Sequence, residues 1–212
     1  IAALLHDIGK FSQRADITVN KKYQNLSDLD FGWNGAHSKW SASFIDEYGL
    51  GSELEELVLY HHNPKSLKGK LKEFGIIIQE ADHLSSSERV VDEKKDPIKE
   101  PLISIFSRLK VKEGSEEKHY YYPLKSLDFG EIYYPEEYKK NAISGWNLTP
   151  EYKSLWARFE KKFNTYKENL SVENIVFLLE EFTTFMPSAA YVSLPDVSLF
   201  DHLKTSCAIA GA

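Results

Sequence analysis

The sequence predicts a mainly α-helical protein, and two observations carry that prediction. Apolar residues recur at steps of three, four and seven along most of the chain, the spacing that returns to one face of a helix. Capping residues and prolines punctuate these stretches where helices start and stop. Strand character is clearest in one aromatic stretch between residues 118 and 134.

The elements follow in order. An apolar run, Ile1-Ala2-Ala3-Leu4-Leu5, leads into His6-Asp7-Ile8-Gly9-Lys10 and reads as a core helix. His37 opens a second helical stretch, in which Trp40, Phe44 and Ile45 recur at helical spacing. The next helix carries a capping-box pattern, Ser52 with Glu55 three residues later. Leu54, Leu57, Val58 and His61 share one face of it, and Asn63-Pro64 stops it. A fourth helix is expected from about residue 67 to 85, with Leu71, Phe74, Ile78 and Asp82 in register on the core side.

Residues 92–97 are polar and aperiodic and read as a loop. The Pro-Leu-Ile-Ser-Ile-Phe run up to Phe106 fits a strand or a short helix, since its length does not decide between them. The tyrosines around Tyr120-Tyr121-Tyr122 and Tyr133-Tyr134 predict a small β element. They are either packing residues or, less commonly, a stacking platform for bases. Helix returns at Thr149, a cap with Pro150 at the first helical position. Tyr152, Leu155, Trp156, Phe159 and Phe163 then form a broad stripe. Ser171 starts another helix with Ile175, Leu178, Leu179 and Phe182, closed by Met186-Pro187. The organisation expected is residues 1–97 as one domain, 98–148 as a mixed linker with short strands, and 149–212 as a helical segment.

Composition sets outer bounds. The 212 residues carry a net charge of −6, which does not suggest a free-standing nucleic-acid binder. No apolar run is long enough to span a bilayer. The single cysteine, Cys207, excludes an intrachain disulfide and lies among apolar neighbours, where it reads as packing. Together these features predict a cytoplasmic globular protein.

The chemistry lies in residues placed where a helix should carry leucine. His6 and Asp7 end a core helix, and His61 and Asp82 extend apolar stripes. A buried charge left without a partner costs roughly 3–5 kcal/mol. For any one of these residues a carbonyl or a cap is a sufficient partner. For the set His6, Asp7, His37, His61, His62 and Asp82, a divalent metal is the economical partner, because imidazole and carboxylate both bind such ions. Asp7 is the best placed to bridge two ions. Lys10 is a candidate to stabilise charge developing on a phosphorus centre; the bland alternative is a helix-end lysine facing water. Lys65, Lys68, Lys70 and Lys72 directly follow His61-His62 and offer a path for a phosphate backbone. A solvated loop and helix start explains them equally well.

The six residues resemble the metal site of the HD superfamily of phosphohydrolases. In the usual motif order a metal-binding histidine precedes the His-Asp pair by a helix. Here only five residues come before it, so the order is expected to be permuted or the chain cut. The chain also resembles, over nearly its whole length, the large signature subunit of type III CRISPR effector complexes in its Csm version. The resemblance is carried by Ala3-Leu4-Leu5-His6-Asp7-Ile8-Gly9-Lys10, Gly35-Ala36-His37-Ser38, Tyr60-His61-His62 and Ala81-Asp82-His83-Leu84-Ser85-Ser86-Ser87-Glu88-Arg89. It continues through Pro101-Leu102-Ile103-Ser104-Ile105-Phe106, Tyr122-Pro123-Leu124, Met186-Pro187-Ser188 and Asp196-Val197-Ser198-Leu199-Phe200-Asp201-His202-Leu203-Lys204-Thr205.

That resemblance implies a helical HD-type domain with permuted motif order that hydrolyses phosphodiester bonds of single-stranded DNA with metal-activated water. It implies one or two divalent ions, Mn²⁺, Ni²⁺ or Co²⁺ ahead of Mg²⁺. The implied partners are the other Csm-type subunits and CRISPR RNA, with target RNA as activator and no membrane. The family also makes cyclic oligoadenylates through a palm domain with a Gly-Gly-Asp-Asp signature. That signature does not occur in this sequence, and the chain is expected to be a piece of a longer protein. His202 falls in the family's motif before the palm and is expected to be structural or interdomain. The alternatives are an HD phosphohydrolase acting on nucleotides, and a catalytically silent scaffold.

Overall fold

A computed structural model describes residues 1–31, 35–86, 101–109, 118–128, 130–137, 147–189 and 195–212. The sequence features at residues 87–89 and 92–97 lie outside them. Among the described residues the architecture is helical: α1 (Ala2–Leu5), α2 (Gly9–Arg14), α3 (Lys21–Gln24), α4 (Ser38–Glu47), α5 (Ser52–Leu59), α6 (Gly69–Ser86), α7 (Thr149–Tyr166), α8 (Val172–Thr183) and α9 (Leu199–Ala210). No described helix is long and apolar enough to cross a membrane.

The predicted stripes form the core. Tyr152, Leu155, Trp156, Phe159 and Phe163 of α7 are all buried, as are Ile175, Leu178, Leu179 and Phe182 of α8. They meet Phe11 of α2 and Phe44 of α4 in a run of aromatic contacts, with Phe11 edge-on to Trp156 at 4.9 Å between ring centres. Such pairs add about 0.5–1.5 kcal/mol beyond area burial. One core cluster therefore spans α1, α2, α4, α5, α7, α8 and α9. It runs across the division at residue 97 drawn from sequence, and that division remains a proposal about organisation.

Several local expectations need correction. Gly51, not Ser52, stands at the N-cap of α5, and no side chain caps it. Its φ of 109° lies in the left-handed region that favours glycine, so chain direction set the boundary there. Leu148 caps α7, so Thr149 and Pro150 are already helical. Ser171 and Ser198 do act as side-chain caps, accepting from the backbone N–H of Asn174 and Asp201. Phe74 is half exposed, because α6 turns Gly75, Ile78, Ala81 and Asp82 inward instead. Gly75 leaves room for Leu67 and Pro64 to close against the helix.

The β element is smaller than the aromatic stretch suggested. β1 (Tyr120–Tyr121) pairs antiparallel with β2 (Glu136–Glu137), and Ile132 and Tyr134 remain exposed outside any strand. The 101–106 run takes both forms left open: Ile103 bridges Tyr121, and a 3-10 turn follows from Ile105 to Arg108. Tyr121 is buried and Tyr122 stacks on Phe185 at 5.5 Å, so these two rings are packing residues rather than a platform for bases.

Candidate metal centre

Four elements and one turn deliver seven side chains to one point. His6 and Asp7 occupy the turn between α1 and α2, where the chain leaves one short helix and enters the next. That turn is held against α4. Gly9 N–H donates to Ser41 Oγ at 2.9 Å, and the same hydroxyl donates to the His6 carbonyl at 2.6 Å. A Cβ at position 9 would stand 2.2 Å from the His37 carbonyl and 2.5 Å from the Ser41 nitrogen. Glycine is required there by close approach of two backbones. His37 ends a 3-10 turn entering α4, and His61 and His62 follow α5. Asp82 lies on the inner face of α6, and His202 lies on α9.

The donors form two sets that share Asp7. Its Oδ1 faces His37 Nε2 at 2.7 Å and His61 Nε2 at 3.7 Å, with His62 Nε2 3.2 Å from His37 Nε2. Its Oδ2 faces His202 Nε2 at 3.1 Å and His6 Nε2 at 3.5 Å. Asp82 Oδ1 completes the second set, 3.2 Å from His202 Nε2 and 3.7 Å from His6 Nε2. Within each set, Asp7/His37/His61/His62 and His6/Asp7/Asp82/His202, one ligand atom from every residue lies within 4.8 Å of the others. The second set is wholly buried, whereas His62 is partly open to solvent.

A divalent ion fits this donor set on internal grounds. His6 Nδ1 donates to the Ala3 carbonyl at 2.9 Å and His61 Nδ1 to the Val58 carbonyl at 2.7 Å. A carbonyl only accepts, so both rings carry a proton on Nδ1 and turn Nε2, the atom free to ligate, inward. Neither Nε2 has a hydrogen-bond partner although both are buried. Leaving such an atom unsatisfied costs about 1–3 kcal/mol. A histidine whose outer nitrogen is fixed by a carbonyl is the arrangement metal ligands adopt.

The electrostatics agree. Burial holds the His37 and His61 pKa values below the ordinary range, and neighbouring histidines lower His61 further. Burial and His37 push His62 down to about 3. All three rings are therefore neutral, as ligation requires. Burial alone would raise the Asp7 carboxyl, but Lys10 and the surrounding histidines outweigh it and keep it well below the usual range. Asp82 behaves likewise through its contacts with His202 and His6. His6 goes the other way: burial is outweighed by Asp7 and Asp82, and its pKa is raised.

All six residues expected to ligate metal lie in this cluster. Lys10 is the second residue of α2 and its ammonium pairs with Asp7 Oδ2. At a helix N-terminus a lysine opposes the dipole, so the helix-end explanation for it fails. Lys65, Lys68, Lys70 and Lys72 are exposed, on the 3-10 turn after His62 and the start of α6. His202 is the residue of the cluster that the sequence did not single out as a ligand candidate. Expected to be structural or interdomain, it is buried at the centre, and a signal for that placement was present: Leu199, His202, Leu203 and Ser206 share one face, all buried, like the stripe that carried His61.

Comparisons with known proteins agree with this geometry. Residues 1–87 match the HD domain family. The chain is 33% identical to the single-strand-specific deoxyribonuclease Cas10/Csm1 (subtype III-A) of Methanocaldococcus jannaschii, over 99% of its own length and 27% of that protein. The proteins of the same name from Thermococcus onnurineus and Enterococcus italicus are 28% and 27% identical, over 99% and 98% of this chain and 26% and 27% of theirs. The chain thus spans about a quarter of the length of these relatives. Two crystal structures of a Csm1-Csm4 cassette, one with cA4 and one apo, share the fold at 23% identity over 99% of this chain and 26% of theirs, with TM-scores of 0.61 and 0.59. In the structure His202, from α9 late in the chain, meets the His-Asp pair that follows α1. The chain is thus similar over 99% of its length to Cas10/Csm1 proteins, and its residues 1–87 match the HD domain family.

Proposed function

We propose that this chain carries the metal-dependent single-stranded DNA nuclease of a type III CRISPR effector, hydrolysing phosphodiester bonds. The observation that carries the reading is the pair of four-residue donor sets sharing Asp7, one enclosed and one open at His62. That arrangement suits two ions, with Mn²⁺, Ni²⁺ or Co²⁺ preferred over Mg²⁺ because histidine dominates the donors. Bound there, divalent ions supply Lewis acidity that activates water and polarises the scissile phosphate.

The chain's own residues do the rest. His37, His61 and His62 are held neutral by burial and present lone pairs without losing a proton first. Asp7 directs one oxygen to each set, which fixes the two positions relative to each other. Lys10 neutralises Asp7 through its ion pair with Oδ2; were a metal to hold Asp7, the Lys10 ammonium could stabilise charge on a phosphate as a point charge. Lys70 and Lys72 lie in the first turn of α6, where their charge opposes the helix dipole. Helix N-terminus and lysines together attract a nucleic-acid backbone.

Other Csm-type subunits and CRISPR RNA are the proposed partners, target RNA the proposed activator, and the cytoplasm the proposed location. Cyclic oligoadenylate synthesis is not assigned to these residues.

The test is cleavage of labelled single-stranded DNA by the metal-stripped chain after addition of Mn²⁺, Ni²⁺, Co²⁺ or Mg²⁺, with the His6→Ala/Asp7→Ala variant alongside. Cutting that requires metal and disappears in the variant supports the nuclease. A folded chain that binds metal yet cuts nothing, alone or assembled with its partners, means that the site serves structure.

A further inference from the structure

Five of the seven side chains in the centre are histidines, and their outer nitrogens are not held alike. His6 and His61 each donate Nδ1–H to a backbone carbonyl, which fixes one tautomer. His202 instead turns Nδ1 to the hydroxyl of Ser85, 2.8 Å away on α6. A hydroxyl both donates and accepts. Ser85 Oγ also lies 2.9 Å from the Asp82 carbonyl and 2.8 Å from Ser206 Oγ, while Ser206 Oγ donates to the His202 carbonyl at 2.8 Å.

We propose that Ser85 is a positioning residue for the enclosed ligand set, its hydroxyl holding the His202 ring so that Nε2 faces Asp7 and Asp82; this rests on the metal reading above. Ser85 Oγ donates to the Asp82 carbonyl at 2.9 Å, which leaves its lone pairs for His202 Nδ1 at 2.8 Å. His202 Nε2 is thereby held 3.1 and 3.2 Å from the two carboxylate oxygens of the set. The contact also joins α6, which brings Asp82, to α9, which brings His202.

The experiment measures Mn²⁺ binding to the purified, metal-stripped chain by calorimetry, for the parent, Ser85→Ala, Ser85→Thr and Ser85→Val. Nitrogen-15 spectra of the His202 ring report whether Nδ1 is hydrogen-bonded in each variant. Loss of a partner outside the ligand set typically weakens metal affinity about 10–100-fold. A loss of that size in Ser85→Ala and Ser85→Val is expected, with Ser85→Thr close to the parent and the Nδ1 hydrogen bond absent in Ser85→Val. The threonine–valine pair exchanges a hydroxyl for a methyl, so it separates hydrogen bonding from packing if the alanine variant folds poorly. Equal affinity for Thr and Val, or the same Nδ1 signal in both, overturns the proposal and leaves the metal reading intact. A parent that binds no Mn²⁺ overturns both.

Discussion

Single atoms decide the behaviour of this centre. The two donor sets differ in enclosure, so the ions they hold should differ in stoichiometric response. His202→Ala is expected to remove one equivalent of bound Mn²⁺ and His62→Ala the other, read by calorimetry on the metal-stripped chain; a variant that keeps both equivalents would refute its residue as a ligand. The depressed histidines also give the metal-free protein a pH dependence. An unfolded histidine takes up its proton near 6.5. Folded His37, His61 and His62 do so only at lower pH, His62 at about 3. Their neutral burial therefore contributes stability that is complete above pH 6.5 and is lost as the pH falls. His6, with a raised pKa, acts in the opposite sense but is one ring against three. The urea midpoint of the metal-free chain is expected to fall between pH 7 and pH 4.5, and a flat or rising midpoint would contradict this account.

At the level of elements, the α1–α2 turn is fixed by its packing on α4, and that packing can be tested without touching a ligand. Gly9→Ala would drive a methyl into the His37 carbonyl and Ser41, and overpacking of this kind costs about 1–3 kcal/mol. Ser41→Ala removes the partner of both the Gly9 N–H and the His6 carbonyl, with a similar cost of about 1–3 kcal/mol. Chemical denaturation should show both losses, and an unchanged midpoint for Gly9→Ala would mean the turn is not as closely packed as described. The lysines at the start of α6 make a separate prediction. Replacing Lys65, Lys68, Lys70 and Lys72 with glutamine should weaken single-stranded DNA binding and flatten its salt dependence, by about 0.7 in log–log slope for each phosphate that a lysine no longer neutralises. Equal slopes in parent and variant would exclude these residues from the DNA path.

Across the whole molecule, the centre ties the first helix to the last. His6 and His202 are 196 positions apart in sequence and meet the same two carboxylates. An ion bound only by the folded state stabilises it by about 2.7 kcal/mol at a free concentration one hundred times its Kd. Adding Mn²⁺ to metal-stripped chain should therefore raise its melting temperature and slow amide exchange along α9 as well as around His6. Protection confined to α1, α4 and α5 would show that α9 is held by packing alone.

Much of this was legible in the sequence, for identifiable reasons. The stripes of α7 and α8 are long and periodic, and burial follows directly from that spacing. His6, Asp7, His61 and Asp82 stood out because each is a polar residue at a position that periodicity assigns to the core, and His37 and His62 joined them as histidines at the ends of neighbouring helices. The cap of α5 and the fate of Phe74 were not legible, because the first depends on a glycine's φ and the second on how α6 is rotated against Leu67 and Pro64. His202 carried the same local signal as His61, but nothing in a linear order says that the last helix returns to the first. The sequence by itself determined the long buried stripes and which polar residues along them need a partner, since both follow from local periodicity and the cost of desolvation. Only the tertiary structure decided how they divide into two sets around Asp7 and that His202 completes one, because that depends on contacts between helices whose separation in sequence carries no information about their distance in space.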